Sequence, residues 1–380
     1  MLTLPLVLLF GLLTVPPVQG AADLQAAIAQ LGSFDFDTRT SAARTVRRVP
    51  AAQAVPALEA AARGHADQYV RFRALVLLSG FDTGAMTRVA ADLAADPNDR
   101  VRAVVYQWFE HHPQAVVLPR LLEALPKETS EFVRPALLRA LAAGGDHPAA
   151  QAALRPLVLK GEDLFRGSVI AAIGDHRGAF ALDELLTVVA LDGPLQDDAI
   201  TAIGRIGNPS SRGVIAGLQQ TAPRELQPTV SAALCLMEVD CPARVRFVTE
   251  TLRFAGASDQ QLPLLRGAVH AAGVLGGAGH GEAFDALIDA ALAASGGARD
   301  ALTLGVGTVI LKQPLLALRV FEARQQPAAV GVLFRDAFDM LSEDFDEEQF
   351  GAEVRRALWT APEGSARRQA AASLLDALEF

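Results

Sequence analysis

The amino-acid sequence predicts an all-α protein, an α-solenoid of about nine antiparallel helix pairs followed by a helical C-terminal cap. A charged motif returns every 32 residues, which is typical of a repeat protein. Apolar residues follow a helical period, and no stretch shows the alternation typical of a strand. The 380 residues are 51% hydrophobic and only 6% aromatic, so we expect a large core of small aliphatic side chains.

The repeated motif pairs an acid with an arginine. The ladder acids stand 32 residues apart, at Asp35, Asp67, Asp99, Glu131 and Asp163. The ladder arginines follow three or four positions later, at Arg39, Arg71, Arg102, Arg134 and Arg166. An acid at a helix start caps free N–H groups, and an arginine one turn later can pair with it or with the next repeat's acid. We therefore predict that the ladder fixes the stacking of the repeats.

Each motif opens a first helix, which leads through a turn to a second helix. Gly207 and Asn208 illustrate the turn, because they supply a left-handed residue after one helix and an N-cap for the next. We expect Pro56 and Pro119 within the first turn of second helices, where the missing N–H needs no partner. The predicted organisation is an N-terminal cap helix over 21–34, a solenoid over 35–326 and a C-terminal helical cap over 327–380.

The first segment of the chain has the pattern of an export signal. No charged residue precedes Asp23, and residues 2–15 are almost continuously apolar. This run is short for a bilayer span and is followed by small residues that suit signal peptidase. The sequence predicts a signal peptide over 1–20, cleaved after Gly20 or else after Ala22. The expected location is periplasmic or secreted, in a bacterium. A retained segment would instead make the chain a membrane-tethered assembly factor.

The string of acid, arginine, alanine- and leucine-rich helix, Gly-Asp or Gly-Asn turn and then Ala54-Val55-Pro56-Ala57-Leu58 resembles HEAT repeats. The similarity is to the short HEAT-like type that also occurs in phycobilisome lyases, and it covers most of residues 35–295. The resemblance implies a superhelix whose second helices line the concave face. It also implies a scaffold, adaptor or regulatory subunit, since the family has few enzymes.

Charged side chains on the second helices are the candidate contacts to a partner. They are Arg88, Asp92, Arg120, Glu123, Arg155 and Glu184. Mixed charges suit a protein or peptide better than a polyanion, although a merely solvated face fits the same pattern. A formal charge of −9 argues against nucleic acid as a partner. We expect an exported, monomeric, non-enzymatic scaffold that binds a protein or peptide on its concave face and contacts no membrane after signal cleavage; a lyase-like HEAT enzyme is the alternative.

The sequence contains no catalytic motif of the zinc-protease, serine-hydrolase or Walker type. His147, His176 and His280 fall in comparable turns of different repeats. Stacked helices lie about 8–10 Å apart, whereas two nitrogens on one zinc ion must lie within about 4 Å. We therefore predict no metal and no cofactor. The acidic run 342–348 lacks the glycine of a calcium loop and is expected to start a helix, or to contact a basic partner.

Cys235 and Cys241 are the two cysteines of the chain. One ends a first helix and the other opens a second, so their Cα atoms can approach within the roughly 4.4–6.8 Å of a disulfide. Export favours the oxidised pair. Two buried free thiols are the alternative.

Overall fold

The computed structural model describes residues 19–257, 261–324 and 327–380, and all regular structure in these ranges is helical. Helix α1 spans Gln19–Gln30. Nine helix pairs follow it. The first five are α2 (Phe36–Arg48) with α3 (Ala51–Gly64), α4 (Gln68–Ser79) with α5 (Thr83–Leu93), α6 (Asp99–His111) with α7 (Leu118–Ala124), α8 (Arg134–Ala143) with α9 (Pro148–Leu154), and α10 (Asp163–Asp175) with α11 (Leu182–Ala190).

The other four pairs are α12 (Gln196–Ile206) with α13 (Arg212–Thr221), α14 (Gln227–Leu236) with α15 (Cys241–Gly256), α16 (Leu262–Gly277) with α17 (Gly281–Ala293), and α18 (Gly296–Lys312) with α19 (Pro314–Ala323). The C-terminal cap holds α20 (Pro327–Leu341), α21 (Asp344–Thr360) and α22 (Ala366–Ala377). Short 3₁₀ turns lie at Arg155–Val158, Ala179–Ala181, Pro209–Ser211 and Arg224–Leu226. The predicted all-α solenoid of about nine pairs with a helical cap is confirmed. Most of the predicted signal peptide, residues 1–18, lies outside the described residues.

Several helices start where the repeat motif predicts. Asp35 caps α2 by accepting a hydrogen bond from the Thr38 N–H at 2.7 Å, and Asp67 caps α4 through the Tyr69 N–H at 2.8 Å. In the third repeat Asn98 takes this role, one position before the ladder acid. Pro56 differs from the prediction, since α3 begins at Ala51 and the proline lies inside the helix.

The first helices of the pairs form the inner layer of the solenoid. Side chains of distant first helices meet there: the Lys312 ammonium lies 3.1 Å from Asp175, and the Thr201 hydroxyl lies 3.0 Å from Nε2 of His270. In a solenoid, residues several repeats apart can meet only across the concave side. The expectation that second helices line the concave face is therefore wrong; the second helices lie on the outside.

The C-terminal cap packs back against the first repeats. Phe345 of α21 is buried in the same core cluster as the N-terminal helices. Gln349 donates a hydrogen bond to the Ser79 hydroxyl at 2.8 Å, across 270 positions of the chain. Helix α21 lies between α18 and α4. The cap thus closes the concave side of the solenoid against the first repeats.

Neighbouring inner helices approach closely at glycines. A Cβ on Gly174 of α10 would lie 2.7 Å from the Cα of Ala202 in α12, and a Cβ on Gly204 would lie 2.6 Å from the Cα of Ala233 in α14. Real Cβ atoms do not approach so closely, so only glycine allows this spacing. Glycine at these positions sets the tight contact between successive first helices.

Among the helices that the structure describes, none is by itself long and apolar enough to cross a membrane. Helices α18 and α19 reach the required length and composition only as a pair, and they are bent by 116° at their junction.

Candidate functional site

All six predicted partner-binding residues have contacts within the chain. Arg88 lies 3.1 Å from Glu59, and Asp92 lies 3.1 Å from Arg63. Arg120 donates a hydrogen bond to the carbonyl oxygen of Ala91 at 2.7 Å. The remaining three pair with acids or bases of the outer layer: Glu123 with Lys127 at 2.6 Å, and Arg155 with Glu184 at 2.6 Å.

Most of these contacts join residues 29 positions apart, from one second helix to the next. They form a row of charges along the outside of the solenoid. Exposed pairs of this kind contribute only about 0.2–1 kcal/mol each. The structure therefore gives five of the six residues a contact between adjacent repeats, whereas Glu123 pairs with Lys127 of its own repeat. The role of the six residues toward a partner stays a prediction.

A different surface carries exposed apolar side chains at the repeat spacing. The residue after each ladder acid is exposed and lies in the first turn of a first helix or, at Phe132, two positions before it; we call this row the helix-start edge. Its members are Phe36, Gln68, Arg100, Phe132 and Leu164. Phe36 is 61% exposed, Phe132 89% and Leu164 75%. Phe132 and Leu164 thus place two large exposed apolar side chains on successive repeats.

A pocket of about 730 Å³ lies in the middle of this edge. It is lined by the starts of three successive first helices, including Asp67, Tyr69, Arg100 and Ser130. The guanidinium of Arg100 lies 5.8 Å from the centre of the Tyr69 ring, so an aromatic face orients its charge. The pocket is therefore lined mainly by polar groups and by charges of both signs, and Phe36, Phe132 and Leu164 are not part of its lining.

Arg166 pairs with its own ladder acid Asp163 at 3.0 Å, as predicted, but two other ladder arginines pair with acids that sequence reasoning missed. Arg71 lies 3.2 Å from Asp96, and Arg102 binds Glu128 through two hydrogen bonds of 2.8 and 2.9 Å. Asp96 and Glu128 are themselves 32 positions apart and precede the next first helix, so the same period could have revealed them. Burial raises the pKa of Glu128, but the hydrogen bonds from Arg102 and from the Ser130 N–H, together with the nearby arginine charges, lower it overall.

The acidic run of the cap meets basic groups of the chain itself. Glu348 is buried between Arg47 and Arg355, at 2.6 Å from each. Burial raises the pKa of Glu348, yet the two guanidinium groups lower it overall. Arg73 pairs with Asp344 of the same run. The run starts helix α21 as predicted and docks the cap on the first repeats.

One carboxyl group of the cap and one of the repeats differ strongly in their affinity for a proton. Burial, aided by the charge of Asp344, raises the pKa of Glu347 to about 8. Burial also raises the pKa of Glu110, but the nearby His176 imidazole and the Arg139 guanidinium at 2.8 Å outweigh it and lower the value to about 2. The interior between cap and repeats therefore holds an acid that stays protonated near neutral pH and one that stays ionised.

The two cysteines and one turn histidine converge on the opposite edge, where the turns within the pairs lie. The sulfur atoms of Cys235 and Cys241 are 1.95 Å apart, at bonding distance, with their Cα atoms 4.0 Å apart. Nε2 of His280 lies 3.6 Å from the first sulfur and 3.9 Å from the second. His147 instead caps α9, accepting a hydrogen bond from the Ala149 N–H. Sequence reasoning missed the cluster because it weighed histidines and cysteines separately.

A scan against models of protein families finds no match, and a search of curated proteins also finds none. Among solved structures, the complex of CpcE and CpcF of phycocyanin lyase from Nostoc sp. PCC7120 is 21% identical over 61% of this chain and 92% of that chain, with a TM-score of 0.35. Kap121p bound to Nup53p is 11% identical over 93% of this chain and 45% of that chain, with a TM-score of 0.30. UNC-45 from Drosophila melanogaster is 13% identical over 94% of this chain and 62% of that chain, with a TM-score of 0.20.

The chain has a HEAT-like helical-repeat fold. This conclusion rests on the stacked helix pairs and their 32-residue motif. The similarities to solved structures are too small to say anything about the function of the chain. The resemblance drawn from the sequence is confirmed at the level of the fold.

Proposed function

We propose that the chain is an exported, non-enzymatic scaffold that binds a protein or peptide partner through the helix-start edge. The row of Phe36, Phe132 and Leu164, exposed at the repeat spacing, carries the proposal. Interfaces are enriched in aromatic residues and arginine, and the edge presents two phenylalanines, a leucine and Arg100 beside the ladder acids. The outer charge row is a less favourable site because its side chains already pair with one another.

The spacing of the edge suggests the shape of the partner segment. Helices of successive repeats lie about 8–10 Å apart, and a polyproline II segment advances about 3.1 Å per residue with three residues per turn. Every third residue of such a segment would therefore meet the next repeat with its side chain on the same face. Phe132 and Leu164 belong to successive repeats and favour apolar side chains at such positions. Arg100, one repeat earlier, favours an acidic side chain there.

A photo-crosslinking experiment in the native host tests the proposal. Residue 132 is replaced by p-benzoylphenylalanine, which keeps an aromatic ring at the exposed position of Phe132. The matched control carries the same group at Val116, which is 78% exposed and lies before α7, on the opposite edge. We expect a crosslinked protein from position 132 that is absent from position 116.

Two variants in the crosslinking background locate the site. Leu164→Glu places a charge on the edge and should abolish the crosslink. Arg88→Glu combined with Arg120→Glu alters the outer charge row and should leave it intact. A crosslink that survives Leu164→Glu but is lost with the arginine changes would move the site to the outer face; no crosslink from position 132 would contradict the proposal.

Export is a separate part of the proposal and has its own test. The charge-free segment before Asp23 is the supporting observation. Sequencing the N-terminus of the protein isolated from its host should read Ala21 or Asp23. An N-terminus at Met1 in a membrane fraction would instead support the membrane-tethered assembly factor.

A further inference from the structure

Three side chains with metal-binding atoms converge at the turns of two adjacent repeats. Cys235 lies in the last turn of α14, Cys241 opens α15, and His280 immediately precedes α17. Their two sulfur atoms and one ring nitrogen all lie within 4.8 Å of one another. Residues 39 and 45 positions apart in the chain are brought together here by the stacking of the repeats.

The position of His280 fits a tetrahedral zinc ion. Zinc binds sulfur at about 2.3 Å and nitrogen at about 2.0–2.1 Å, so tetrahedral geometry places the sulfur and nitrogen ligands about 3.5 Å apart. The observed distances from Nε2 of His280 are 3.6 Å to Cys235 and 3.9 Å to Cys241. The imidazole therefore already stands at the separation that an ion shared with either sulfur requires.

We propose that, once the two cysteines are reduced, Cys235, Cys241 and His280 form a binding site for Zn²⁺. A dithiol supplies the two electrons: it is oxidised to its own disulfide, and the two cysteine sulfurs become thiols. Zinc then binds two thiolates and the neutral imidazole, and the two thiol protons are released to solvent. A water molecule completes the four ligands, as in zinc sites with three protein ligands. The bonded pair and the metal site exclude each other.

The surroundings of the three groups suit an ion that enters from one side. Cys235 is 3% exposed and closes the inner side, whereas Cys241 and His280 are half-buried and border solvent. Cys241 is the first residue of the 16-residue helix α15, where the helix dipole favours a thiolate. Glu238 and Asp240 have φ angles of 63° and 49°, and this left-handed turn folds the chain back so that both cysteines reach one point. The proposal does not depend on the helix-start edge.

Cobalt titration of the full chain tests the site, because Co²⁺ replaces Zn²⁺ and reports thiolate ligands by charge-transfer absorption. The protein is reduced with dithiothreitol, desalted without oxygen and titrated with Co²⁺. We expect absorption that saturates at one equivalent of Co²⁺ and disappears when Zn²⁺ is added. The oxidised chain should show none of it.

Variants assign the ligands. Cys235→Ser with Cys241→Ser should lose the absorption, and His280→Ala should weaken zinc binding at least about tenfold, the loss expected for removing even an outer-shell partner. His147→Ala, in the corresponding turn of another repeat, should bind zinc as the unaltered chain does. Circular dichroism of each variant separates lost binding from lost folding. No charge-transfer absorption in the reduced chain, or undiminished affinity in folded His280→Ala, would overturn the proposal.

Discussion

Arg47 and Glu348 stand 301 positions apart in the chain, yet the guanidinium of Arg47 donates two hydrogen bonds, of 2.6 and 2.9 Å, to one carboxylate oxygen of Glu348. Arg355 donates a third, of 2.6 Å, to the other oxygen. The carboxylate is buried, so its charge depends on these two partners. This contact links the first repeat directly to the C-terminal cap.

Glu348→Ala should destabilise the protein strongly. Removing one partner of a buried ion pair leaves uncompensated charge, here on Arg47 and Arg355, and typically costs about 3–5 kcal/mol. Glu353→Ala on the same helix removes only an exposed pair with Arg356 and should change the free energy of unfolding by less than about 1 kcal/mol. Urea unfolding at pH 7 measures both. Equal effects would mean that the cap is not held by Glu348.

The pH dependence of stability should follow Glu347. Its pKa is about 8 in the folded chain against 4.5 ordinarily, so between these values the unfolded chain ionises first and the free energy of unfolding falls as pH rises. The full shift corresponds to about 5 kcal/mol; because Glu347 is only half-buried, we expect about 2 kcal/mol.

Urea unfolding at pH 5 and pH 8.5 checks this expectation. The unaltered chain should be less stable at pH 8.5 than at pH 5. Glu347→Gln keeps the shape but cannot ionise, so it should lose most of that difference. An equal pH dependence in the variant would assign the effect to other carboxyl groups, of which Asp346 also has a raised pKa because of burial.

Arg102 and Arg134 occupy the same position in their repeats but should contribute differently to the stability of the protein. Arg102→Ala leaves Glu128, which is 8% exposed, without the two hydrogen bonds from the guanidinium and should cost about 2–4 kcal/mol. Arg134 donates one long hydrogen bond of 3.4 Å to the carbonyl oxygen of Thr129 and lies 5.4 Å from the centre of the Phe165 ring, so Arg134→Ala should cost only about 1 kcal/mol. Thermal unfolding compares the two. Similar losses of stability in the two variants would show that the contact with Glu128 does not set the contribution of a ladder arginine.

The sequence predicted the helices well because local signals determine them. The acid of each repeat marks a helix start, and Asp35 and Asp67 cap helices as expected. Glycine and asparagine mark the turns, and Gly207 has the predicted left-handed conformation, with φ 70°. The 32-residue period then fixes the number of pairs. These features depend on residues that are neighbours in the chain.

The sequence could not predict which helix layer faces inward or what closes the interior. Those properties depend on contacts such as Arg47 with Glu348 and Thr201 with His270, which join residues 301 and 69 positions apart. The same limit applies to the cysteine cluster, because His280 belongs to another repeat. The helix-start edge could have been predicted from the sequence, since Phe132 and Leu164 share the 32-residue period of the acids.

Gly174→Ala tests whether close contact between the first helices sets the spacing of the inner layer. A Cβ at this position would lie 2.7 Å from both the Cα and the Cβ of Ala202, so helices α10 and α12 would have to separate. Forcing extra volume into a packed core costs about 1–3 kcal/mol.

Gly217→Ala is the matched control, because Gly217 lies within α13 on the outside with no atom within 4 Å of the added group. Since alanine favours a helix over glycine by about 1 kcal/mol, this change should stabilise the protein. Urea unfolding should therefore give effects of opposite sign, and a neutral or stabilising Gly174→Ala would show that the inner helices are not in close contact.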